Sequence, residues 1–153
     1  MDSLGRAVNR VQGLNYWDLR TVRLILILAH GSFAALCLVI RPFLFEIIQG
    51  YSGMLAVMPT RAWGGCAAVI AIGLALSAAR PGLQIIVQLA SGMLLTMIAI
   101  AVSTRVGPNL ASAAYTVFGA MSLWAFYRVF SIWLYGLGWF RRIQDRLHGV
   151  DCG

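Results

Sequence analysis

Four apolar runs, each closed within a few residues by arginine or proline, dominate this chain. They are LILILAHGSFAALCLVI at 24–40, AWGGCAAVIAIGLALSAA at 62–79, LQIIVQLASGMLLTMIAIAV at 83–102 and LASAAYTVFGAMSLWAFY at 110–127. A helix rises about 1.5 Å per residue, so about 20 apolar residues cross a ~30 Å hydrocarbon layer. A water-facing globule of 153 residues cannot cover four such runs. Charged residues make up 11% of the chain, against about 25% in ordinary soluble domains. Hydrophobic residues make up 60%, and the mean hydropathy is +0.80. The expected fold class is all-α: a polytopic membrane protein, with four transmembrane helices in a bundle and amphipathic interfacial helices at the termini. The whole chain reads as a single membrane domain.

The flanks set the expected spans at 16–40, 62–79, 83–103 and 109–128. Asn15 is an expected N-cap for the first, with Asp18 completing a capping box. Tyr16, Trp17, Arg20 and Arg23 suit the headgroup layer, and Arg41-Pro42 closes the span. No small-x-small cleavage site follows, so this span is expected to be retained as an anchor. Thr60 is an expected cap for the second span, and Arg80-Pro81-Gly82 turns into the third. From Asn109 to Arg128 is 19 steps, or roughly 28 Å of helix. That puts Arg128 at the far boundary of the fourth span, where its guanidinium can snorkel to the headgroups; at the bilayer centre it would cost at least ~2.5 kcal/mol.

Arg128, Ser131, Tyr135 and Arg142 form a narrow polar stripe leading into and along the otherwise apolar stretch 129–147, read as an interfacial helix or an extension of the fourth span. Residues 1–14 repeat the pattern more weakly, and 148–153 are a polar tail. The expected interface anchors are Trp17, Arg20, Arg23, Arg128, Arg141 and Arg142. The outer connection, 41–61, is apolar for a loop of its length. It is expected in the outer interface, or dipping back where protein covers its backbone.

All twelve basic residues are arginine, and the net charge is +7. Four spans put both termini on one side with nine arginines (6, 10, 20, 23, 80, 128, 141, 142, 146), leaving three (41, 61, 105) opposite. The positive-inside rule then predicts cytoplasmic termini in a cell (inner) membrane. The arginines sit at the ends of apolar runs and form no basic patch with interleaved aromatics, so a nucleic-acid partner is not expected.

A candidate intramembrane polar site comprises His30 on the first span and Gln84, Gln88 and Ser91 on one face of the third. Such groups relay protons or line a path; more often they hold helices together. Small residues (Ala67, Ala71, Ala75 and Ala79 on span two; Ser112, Thr116 and Ala120 on span four) predict close helix approach and contacts between copies. Cys37 and Cys66 share a depth and are read as free thiols. Glu46 is the only acid between Asp18 and Asp145, and a surface ion pair with Arg41 or Arg61 is expected.

No cofactor, metal site or catalytic constellation is expected. The three cysteines lack CxxC spacing, and there is no phosphate loop, HExxH or partnered nucleophile. The chain is therefore expected to be non-enzymatic. The lipid bilayer is its first partner, and it reads as a self-associating structural or accessory subunit beside other membrane subunits. Two alternatives differ in class. In general build (small, basic, multi-span, with a charged tail) the chain is similar to phage holins, which permeabilise membranes. A small proton- or solute-conducting subunit would use His30 with Gln84 and Gln88.

Overall fold

The computed structural model of the chain describes residues 2–39 and 49–136. Five α-helices account for nearly all of them: α1 (Asp2–Leu38), α2 (Gln49–Leu55), α3 (Thr60–Leu76), α4 (Pro81–Val106) and α5 (Leu110–Gly136). A short 3-10 turn, Ser77–Ala79, joins α3 to α4. Among the described residues there is no strand. Four stretches are long and apolar enough to cross a membrane: Leu19–Leu38, Thr60–Ala79, Pro81–Val106 and Leu110–Leu134.

Local chemistry fixes most helix ends. Pro81 opens α4, where its missing N–H has no carbonyl to serve. Gly107 adopts φ 72°, a left-handed conformation that stops α4 and that a Cβ would oppose. Asn109 then caps α5: its Oδ1 accepts from the Ser112 N–H at 2.9 Å, and its own N–H donates to Ser112 Oγ at 3.0 Å. Two expected caps do not form. Thr60 is already helical, with Pro59 in the capping position. Asn15 lies inside α1, which runs unbroken from Asp2 to Leu38. No proline interrupts that stretch, and its glycines (Gly5, Gly13 and Gly31) each disfavour helix by only about 1 kcal/mol. The last helix likewise continues past Arg128 to Gly136.

The four long helices run up and down, each packed on the next in chain order. Glycines set the approach. Gly64 on α3 abuts Cys37 and Leu38 on α1, and Gly73 abuts Val87 on α4. Gly92 on α4 meets Leu123, while Gly119 on α5 meets Thr96. Most of the expected small-residue faces point elsewhere: Ala67 and Ser112 are buried, but Ala75, Ala79, Thr116 and Ala120 are exposed. The ring closes most fully at one end, where Leu19 of α1 clusters with Ala125 and Val129 of α5, backed by Val22 and Ile85. This is called the proximal end below.

At the distal end α2 folds into the bundle. Gly53 packs directly on the Ala101 carbonyl of α4, leaving no room for a side chain. Met54 is fully buried in the main core with Phe33, Trp63, Ile98 and Val102, and the Trp63 indole donates to its carbonyl at 3.0 Å. Ala101 stands five positions before the end of α4, about 7.5 Å deep. Gly53 and Met54 of the connection therefore tuck in under cover of protein, while Ala56, Val57 and Pro59 stay exposed. Arg41 and Glu46 lie outside the described residues, as do Arg141, Arg142 and 137–153.

Candidate intramembrane polar sites

The polar side chains singled out in the sequence separate into three places. In the first, His30 is buried between α1 and α4. Its Nδ1–H donates to the Leu26 carbonyl at 2.8 Å, which leaves Nε2 to accept from Ser91 Oγ at 3.4 Å. That Nδ1–H bond holds the ring against its own helix. Both side chains are almost wholly shielded.

In the second, Gln88 turns away from His30 towards α5. Ser122 Oγ donates to Gln88 Oε1 at 2.8 Å and lies 2.9 Å from the Gln88 backbone oxygen. Gln88 is fully buried and its Nε2 has no hydrogen-bond partner. Ser122 is the member that sequence reading missed. Nothing in α5 alone marks it, because it becomes a partner only through the register of two antiparallel helices.

The third is at the proximal end. Gln84, in the first turn of α4, joins Arg20 and Arg23 of α1 around a recess of about 60 Å³, completed by Leu19 and Ala78. Two expected anchors and one expected polar-site residue thus meet. Arg128 belongs to the same layer, since the next residue, Val129, packs on Leu19. Its guanidinium sits 5.8 Å from the centroid of the Trp124 ring, and its Nε has no hydrogen-bond partner among the described residues. Trp17 lies on α1, just before the apolar span.

Because α1 and α5 touch mainly at the proximal end, a groove of about 430 Å³ opens between them farther along. Leu94, Leu95 and Ile98 of α4 floor it, and Phe33, Tyr115 and Phe118 supply aromatic walls. Phe33 meets Tyr115 edge to face, and the Tyr115 hydroxyl lies 3.4 Å from that of Tyr51 on α2. A second hollow of about 430 Å³, between α4 and α5, shows Thr96, Ser103, Thr104 and Thr116. Each of those hydroxyls donates to a carbonyl three or four residues back on its own helix, so its proton is already committed. Cys37 and Cys66 are both free thiols, the first buried and the second exposed. No group of three or more metal-ligating side chains occurs among the described residues. No family model, curated protein or solved structure matches the chain.

Proposed function

We propose that the chain is a non-enzymatic integral membrane protein that serves as a self-associating structural or accessory subunit of a larger membrane assembly. The observation that carries this reading is the isolation of its interior polar groups. His30 is paired with Ser91, and Gln88 with Ser122, in separate contacts that serve helix packing. A conducting subunit needs such groups to converge on a wet path; here the groove beside His30 is walled mainly by apolar side chains.

The spans also cover one another sparingly. Within the chain, 50% of the α4 span is buried, against 28%, 28% and 22% of the spans in α1, α3 and α5. Exposed small faces at Ala75/Ala79 and Thr116/Ala120 leave places where another helix can approach closely. In this reading the proximal end faces the cytoplasm of a cell (inner) membrane, following the arginine count. Arg20, Arg23 and Arg128, at the proximal ends of their spans, lie at headgroup level in this reading.

Size measurement of the gently extracted protein by native mass spectrometry tests the proposal. The expected result is a defined oligomer or a complex with other membrane subunits. A single copy carrying only detergent and lipid, with no cross-linked partner in the intact membrane, would sink it.

A further inference from the structure

From the recess at the proximal end we infer a binding site for a phosphate group, which goes beyond the subunit role while resting on the same bilayer reading: Arg20 and Arg23 supply the charge and Gln84 an amide donor. Three features select this ligand chemistry. The first is charge. Arg23 is half-buried and lines the recess. Arg20 stands beside it on the same cavity, one turn back along α1. Gln84 sits in the first turn of α4, whose dipole adds positive potential of the same sign. The second is size. About 60 Å³ holds a few waters or one compact oxyanion, and leaves no room for a sugar or a base beside it.

The third is position. Leu19, where the first apolar stretch begins, lines the recess, so the recess opens at the depth of lipid headgroups in the bilayer reading. Arg128, one residue from the Leu19 contact of α5, adds a further cation to that layer. Guanidinium groups match phosphate oxygens with paired N–H donors, and such charge-assisted bonds are the strong ones. The phosphate belongs either to an anionic lipid headgroup or to a small soluble phosphate, and binding fastens α1 to the start of α4.

The test is native mass spectrometry of the intact protein exchanged into phosphatidylcholine discs with and without phosphatidylglycerol. Wild type is expected to retain phosphatidylglycerol in preference to phosphatidylcholine. R20Q and R23Q are each expected to lower that retention roughly tenfold, one charge-assisted bond's worth, whereas R105Q at the opposite end leaves it unchanged. Adding inorganic phosphate separates the sources. Displacement at millimolar concentration assigns a soluble phosphate, and no displacement assigns the lipid. Each variant is first checked for wild-type helicity and elution. If R23Q does not hold its fold, R23K and Q84L carry the test. The site is overturned if wild type shows no preference and binds no inorganic phosphate, or if the recess variants bind as R105Q does.

Discussion

Ser122 Oγ lies 2.8 Å from Gln88 Oε1 and 2.9 Å from the Gln88 backbone oxygen, so one hydroxyl on α5 meets both ends of a buried glutamine on α4. The contact sits in the tightest helix pair of the bundle, near Gly92, which abuts Leu123. It also removes Gln88 from any shared site with His30. Ser122→Ala leaves the amide without its partner and is expected to destabilise the protein by ~0.6–2 kcal/mol, the range for polar contacts between membrane helices. Adding Gln88→Leu removes the stranded amide, so the double variant should lose less than the two single losses combined. Denaturant titration of all four proteins in mixed micelles gives the coupling. Simple additivity would mean that the contact contributes nothing.

The number of apolar helices was legible because a bilayer turns composition into a length requirement: runs of about 20 residues ending in Arg41-Pro42, Arg80-Pro81 and Arg128 leave little choice. The Asn109 cap was legible for a similar reason, since capping is chemistry between near neighbours. Partnerships across helices were not. Ser122 and Gln88 are 34 residues apart, and no spacing within either helix indicates that they face each other. The alanine stripes were legible as faces but not in direction, because periodicity does not say which way a face points. The glycines do the close packing: removing one Cβ at Gly64 or Gly92 lets a neighbouring side chain in, whereas Ala75 and Ala79 point outward. Asn15 misled because a good cap residue does not end a helix that nothing else interrupts.

The seating of α2 depends on Gly53. Any side chain there would overlap the Ala101 carbonyl, so Gly53→Val should displace α2 and expose Met54, now fully buried beside Trp63. Overpacking of this kind costs about 1–3 kcal/mol. In a chain whose native cysteines are replaced by serine or alanine, Met54→Cys should resist a water-soluble maleimide. Adding Gly53→Val should make it react. Equal reactivity with and without Gly53→Val would mean that α2 is not held by this contact.

His30 offers the sharpest separation of scaffold from conduit. Its Nδ1–H is taken by the Leu26 carbonyl and its Nε2 faces Ser91. His30→Leu keeps most of the volume, and Ser91 can turn its hydroxyl to a carbonyl of its own helix, so the change in stability should stay within about 1.5 kcal/mol. Proton flux into sealed proteoliposomes should be the same for wild type, His30→Leu and Gln88→Leu. A wild-type flux that either substitution abolishes would favour the conducting alternative over the scaffold.

Orientation follows from two exposed residues at opposite ends of α4. Ala79 lies in the turn just before the helix, beside the Arg20–Arg23 recess, and Val106 is its last residue. Pro81 to Val106 spans 25 steps, roughly 37 Å along the axis, long enough for a bilayer to separate the two positions. Ala79 shares its end with Arg20, Arg23, Arg80 and Arg128; Val106 shares its end with Arg61 and Arg105. Positive charge near span ends resists translocation, so the arginine-rich end is expected to stay inside. In sealed right-side-out vesicles, an impermeant maleimide should label Val106→Cys and spare Ala79→Cys, and inverted vesicles should give the opposite pattern. Labelling of both from one face would remove α4 from the membrane. The reversed pattern would leave the bundle intact and turn the phosphate recess to the outer surface.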